Sequence, residues 1–153
     1  MSKEVTEGTG VCRVELEIPI GAPRSHVWDC LINRPGEWWR EDFLVTPGAI
    51  FRLEPKVGGL MFEDAGDGAG FVWFTVHGII PEQQLYLIGH IRPPYGGPCT
   101  SMLMIGLEST DGDHTVVKLS DCVVGKVDQK TADSLDEGWK LLFGGLKALA
   151  ESA

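Results

Sequence analysis

From residue 49 to about 122 the chain is cut into six short apolar runs: AIFRLEP, GLMFED, GFVWFTVHGII, QLYLIGHI, TSMLMIGLES and HTVVKLSDCVV. The breaks between them are turn signals: Val57-Gly58-Gly59, AGDGAG (65–70), PEQ (81–83), PPYGGP (93–98) and DGD (111–113). Parallel strands need crossovers of a dozen residues or more, so breaks this short favour antiparallel neighbours. A seventh strand is legible at VCRVELEI (11–18), where Cys12, Val14, Leu16 and Ile18 alternate with Arg13, Glu15 and Glu17. That period of two predicts one buried face and one wet face. A sheet this long must curl, and Gly78, Gly89 and Gly106, inside strand patterns, are where bends or bulges cost least.

Helical patterns frame the strands. APRSHVWDCLIN (22–33) places Pro23 where a first helical turn accepts it, with Val27, Cys30 and Leu31 as an inward stripe. Pro35-Gly36 is expected to stop this helix. EWWRED (37–42) then reads as a second short helix or turn, with Trp38 and Trp39 plugging one end of the core. The stretch SLDEGWKLLFGGLKALAES (134–152) reads as one long helix. Leu135, Trp139, Leu142, Leu146 and Leu149 recur at steps of four and three, and Phe143 lies beside them. Asp133, Asp136 and Glu137 near its start and Lys147 nearer its end suit the helix dipole.

That helix carries Gly138, Gly144 and Gly145 in its interior, each costing about 1 kcal/mol relative to alanine. Such bare positions either let another backbone approach closely or leave space for a guest molecule between helix and sheet. One long helix against seven antiparallel strands is an α+β arrangement. Residues 11–153 are read as a single domain behind a flexible segment over 1–10.

Charge narrows the function classes. A net charge of −9 and a pI near 4.8, with no basic stripe to reverse the sign locally, disfavour nucleic acid and anionic membranes as partners. The opening residues MSKEVTEGTG lack the apolar stretch of a signal peptide, and no run approaches a membrane span. Cys12, Cys30, Cys99 and Cys122 are widely spread with no CxxC pair, as expected of reduced, mostly buried thiols in a cytoplasmic protein.

Four motifs, in order, carry a resemblance to a known superfamily. IPIGAPRSHVWDCLINRPGEWW (18–39) resembles the opening of the START-like (SRPBCC, Bet v 1-like) proteins. EPKVGGLMFED (54–64), VHGIIPEQQLYL (76–87) and LDEGWKLLFGGLKALAE (135–151) are similar to motifs of the Hsp90-activator-homologue branch. The resemblance implies the helix-grip fold, a curved seven-stranded sheet wrapping a long carboxy-terminal helix. It also implies an apolar ligand between sheet and helix. Alternatives within the resemblance are a polyketide cyclase- or dehydratase-like enzyme and an Hsp90 co-chaperone-like interaction module. The co-chaperone carries an additional amino-terminal domain, which is not expected within these 153 residues.

A ligand pocket needs apolar walls with a few inward polar groups. Candidate walls are Phe71, Trp73, Leu85, Leu87, Leu103, Leu119, Trp139 and Phe143. Asp121 shares the parity of Val117 and Leu119 and is expected to face inward. His90, in LYLIGHI, is the candidate partner for a His–Asp pair in ligand binding or acid–base chemistry. Tyr95, in RPPYGGPCTS (92–101), is an aromatic finger on a candidate pocket rim. Trp73, His90, Tyr95, Asp121, Trp139 and Phe143 are therefore the expected ligand-binding residues. No covalent catalytic residue, metal site or cofactor is expected: His26, His77, His90 and His114 lack metal spacing, and GDGAGF (66–71) has no helix behind it to receive a phosphate. The sheet edges leave room for a homodimer.

Overall fold

Asp128 opens the longest element of the structure, a computed structural model that describes residues 8–152. Its carboxylate accepts from the Thr131 amide at 2.9 Å, and Thr131 Oγ1 accepts from the Asp128 amide at 3.2 Å. This reciprocal cap starts helix α3, Gln129–Glu151, at Gln129 rather than at Ser134. The apolar stripe begins only at Leu135, so the polar first turn is invisible to periodicity.

The strands are β1 (Thr9–Ile20), β2 (Ile50–Leu53), β3 (Leu60–Gly66), β4 (Ala69–Ile80), β5 (Gln84–Ile91), β6 (Cys99–Asp111) and β7 (His114–Lys126). They form one antiparallel sheet in the order β1-β7-β6-β5-β4-β3-β2. The six later strands thus pair as consecutive neighbours, as the short turns require. β1 closes onto β7, with Thr9 opposite Lys126 and Ile20 opposite Thr115. Of the flexible segment expected over 1–10, residues 1–7 lie outside the described residues, while Thr9 and Gly10 already pair within β1.

Because β1 and β2 occupy opposite edges, the chain between them must cross the whole sheet. Helices α1 (Arg24–Asn33) and α2 (Pro35–Trp38) make the crossing and pack against α3. Pro23 caps α1 from outside instead of sitting in its first turn. Pro35 does not merely stop α1; it opens α2, where its missing N–H costs nothing.

Trp38 and Trp39 are both buried and meet edge-to-face, and Trp39 stacks on Phe51 at 4.0 Å. They plug the core as expected. Neither indole N–H has an acceptor among the described residues, an expense of about 1–3 kcal/mol each that the plug's packing must outweigh.

Two of the three α3 glycines have distinct roles, while a Cβ on Gly144 would meet nothing within 4 Å. A Cβ on Gly145 would stand 2.8 Å from the Trp38 carbonyl oxygen, so this glycine lets α3 and α2 touch. A Cβ on Gly138 would meet only the edge of the Phe43 ring, at 3.8 Å.

Of the three strand glycines expected to mark bends, Gly78 stands at a register shift, whereas Gly89 and Gly106 remain in regular pairing. Gly89 serves a close approach, since a Cβ there would strike the Trp73 carbonyl oxygen. A further shift leaves Trp73 as an extra residue, with Met61 opposite Phe74 and Phe62 opposite Val72. The bulge changes the phase of β4, so Phe71 and Trp73 before it, and Phe74 and Val76 after it, all serve the inner face.

Candidate functional site

Along β7 the side chains of Thr115, Val117, Leu119, Asp121 and Val123 alternate inward. The expected parity of Asp121 is therefore correct, and it puts a carboxyl group, 1% exposed, on the inner face of the sheet. Two donors reach it. Ser101 Oγ, inward on β6, donates to Oδ1 at 2.5 Å, and Trp139 Nε1, from α3, donates to Oδ2 at 2.9 Å. Burial pushes the Asp121 carboxyl above the ordinary range, and the two hydrogen bonds only partly oppose this.

These residues stand against a cavity of about 620 Å³ between α3 and the sheet. Its walls are mainly aromatic: Trp39, Phe43, Phe71, Trp73, Phe74, Tyr95 and Trp139, with Leu44, Leu135 and Leu142 between them. Gly138 also lines it, so this glycine's missing side chain leaves space there. Tyr95 is 54% exposed and touches Phe71 edge-to-face, which places it at the mouth beside the exposed Arg92.

A second buried carboxylate braces the walls. Glu63, 0% exposed, accepts from the amides of Val45 and Thr46 at 2.8 and 2.6 Å and from Trp73 Nε1 at 2.7 Å. One side chain thus fixes both the loop carrying Phe43, Leu44 and Val45 and the indole facing it.

The structure brings Trp73, Tyr95, Asp121 and Trp139 together around the cavity. His90 reaches only its edge. It follows the exposed parity of Tyr86, and its Nδ1 lies 3.1 Å from Thr100 Oγ1. Asp121 and His90 therefore sit on opposite faces of the sheet, and the expected His–Asp pair does not form. The cause is a strand with apolar residues on both faces, whose phase the sequence leaves open. Phe143 is likewise not a wall; fully buried, it packs edge-on between Trp38 and Trp139. Of the other expected walls, Leu85, Leu87, Leu103 and Leu119 are buried in the core and do not line the cavity.

Ser101, Glu63 and Trp39 are site residues that sequence reasoning missed. Ser101 was accessible through parity, since it alternates with the inward Leu103 and Ile105. Glu63 was hidden because its neighbour Phe62 is as apolar as Met61 on the opposite parity. Burial raises the Cys12, Cys30 and Cys99 thiols above their ordinary range, which leaves them poor nucleophiles. Among the described residues no three His, Cys, Asp or Glu side chains converge as metal ligands, and no helix is long and apolar enough to cross a membrane.

A second cleft of about 390 Å³ is lined by Glu17, Gln84, Met104, Glu108 and Lys118, among others. Its Lys118 already pairs with Glu108 at 3.0 Å and lies 3.9 Å from Glu17.

No sequence-family model matches the chain, and no curated protein matches it by sequence. Solved structures do. DynU16, described as a protein of the dynemicin biosynthetic locus, superposes with a TM-score of 0.67 at 18% identity, over 92% of this chain and 47% of its own. This chain thus spans about half the length of DynU16. CalU16 from Micromonospora echinospora gives 0.63 at 15% identity, over 94% of this chain and 83% of its own. Ara h 8.0201 gives 0.67 at 14% identity, over 94% of this chain and all of its own (100%). At such identities the likeness establishes the fold, which is the helix-grip architecture of the Bet v 1-like and START-like proteins.

Proposed function

We propose that this chain binds one small, largely apolar molecule in the cavity beneath α3, with Asp121 and Ser101 meeting its polar group. The observation that carries the reading is the cavity itself: about 620 Å³, aromatic-walled, with a buried carboxyl group that no cation among the described residues pairs with. Ligand sites generally combine such volumes and walls with a few placed polar groups. Ligand-binding residues are then Trp73, Tyr95, Asp121, Trp139, Ser101 and Trp39, while His90 contributes at the edge.

Catalysis of the cyclase or dehydratase kind has less support, because His90 and Asp121 cannot act as a pair across the sheet. The Hsp90-activator branch rests on the motifs at 54–64, 76–87 and 135–151, and retention on immobilised Hsp90 without a guest is its test. A cytoplasmic setting belongs to the same reading, supported by four free cysteines.

The test of binding is a fluorescence titration with Nile red, a neutral polarity-sensitive dye, on the wild type and Gly138→Leu. Saturable one-to-one binding that Gly138→Leu abolishes while remaining folded is the expected result. No binding, or equal binding by the variant, contradicts the reading.

A further inference from the structure

We propose that the guest carries a protonated amine on an aromatic or polycyclic body, with the amine seated on Asp121 among the cavity's aromatic rings. This rests on the cavity being a ligand site and names the chemistry that such a site selects.

Three observations converge. First, both partners of Asp121 stabilise a carboxylate. The Trp139 indole N–H can only donate, and Ser101 is placed as the other donor, so the pair meets one lone pair on each oxygen. Each oxygen keeps acceptor capacity for a further donor. Second, the carboxylate has no counter-charge from the protein. Among the described residues no Lys, Arg or His forms an ion pair with it; the ion pairs of the fold, such as Arg34–Glu37, Arg52–Asp64 and Lys147–Glu151, lie at the surface. Arg92, the cavity's own cation, is exposed at the mouth. Third, the walls are what a cation prefers when it leaves water. Trp39, Trp73 and Trp139 present indole rings, the strongest cation–π partners, with Phe71, Phe74 and Tyr95 around them.

The amine resolves an electrostatic problem that the position of Asp121 poses. A buried carboxylate without a cation is pushed toward its neutral form. An ammonium group restores the charged form and uses the free lone pairs. The other titratable groups bearing on Asp121 are few. Cys12 on β1 and Cys99 on β6 carry thiols that burial keeps neutral. From α3 the lining residues Ser134, Leu135, Gly138 and Leu142 do not titrate. His90, Arg92 and Tyr95 stand at the edge and mouth.

The experiment displaces Nile red from the full chain with three matched competitors: 2-(1-naphthyl)ethylamine, 2-(1-naphthyl)ethanol and 1-naphthylacetate. The expected result at pH 7 is a preference for the amine over the alcohol of about tenfold, a size that a desolvated cation–π and ion-pair contact can supply. The preference collapses in Asp121→Asn, whose affinity for the alcohol is little changed. It also declines in the wild type as the pH is lowered and Asp121 takes up a proton, a readout that stands even if Asp121→Asn does not fold. Alcohol or carboxylate binding as tightly as the amine overturns the amine assignment while leaving the cavity as a ligand site. An amine preference that survives in folded Asp121→Asn, or that is flat with pH, also overturns it. Failure of Nile red and all three competitors to bind overturns the ligand-site reading itself.

Discussion

Trp139 on α3 donates its indole N–H across 2.9 Å to Oδ2 of Asp121 on β7, which fastens the long helix to the inner face of the sheet beside the cavity. Trp139→Phe keeps most of the ring and removes only the donor. It is expected to cost about 1–3 kcal/mol in urea unfolding, because a buried carboxylate loses one of its two partners. Ser101→Ala removes the other and should act in the same direction.

The raised Asp121 pKa makes a signed prediction. Its folded value lies above its unfolded value, so the native state holds the proton more tightly. The contribution of this group to stability is therefore greatest below about pH 4 and declines as pH rises through the folded pKa. Wild-type stability minus that of Asp121→Asn should fall over that window and then level off. Chemical unfolding of both proteins across the pH range measures it, and the difference cancels acids such as Asp64, Asp128 and Glu151, whose values are lowered instead.

Two glycines of one helix should respond oppositely to the same change. Gly145→Ala forces a methyl group against the Trp38 carbonyl and is expected to destabilise by about 1–3 kcal/mol through overpacking. Gly138→Ala meets only the Phe43 ring edge and should stabilise by up to about 1 kcal/mol through helix propensity. Thermal or urea unfolding of the two variants checks the contrast.

Glu63 accepts three N–H bonds, and Glu63→Gln replaces one accepting oxygen with an amide nitrogen that can only donate. A loss of about 1–3 kcal/mol is expected. The specific signature is faster hydrogen exchange at the Val45 and Thr46 amides, with the β6–β7 pairing still protected.

Legibility in the sequence followed the contrast between the two faces of each element. β1 was readable because Arg13, Glu15 and Glu17 mark its wet side, and α3 because its stripe is continuous from Leu135 onward. Asp121 inherited a correct orientation from Val117 and Leu119. Where both parities are apolar, phase was lost: LYLIGHI concealed the outward His90, and FVWFTV concealed a bulge that turns Trp73 and Phe74 toward one cavity. The roles of Gly138 and Gly145 were undecidable for a different reason. Both lie on nearly the same side of α3, and what each faces, a cavity or the Trp38 carbonyl, is set by a distant part of the chain.

The most direct test of the central claim uses the tryptophan indole N–H signals in a two-dimensional NMR titration with 2-(1-naphthyl)ethylamine. The five tryptophans fall into groups: Trp39, Trp73 and Trp139 line the cavity, while Trp28 and Trp38 do not. Large, saturable shifts at Trp39, Trp73 and Trp139 with Trp28 unmoved are the predicted result. Saturable shifts confined to Trp28, or no saturable shifts at Trp39, Trp73 and Trp139, would contradict a binding site beneath α3.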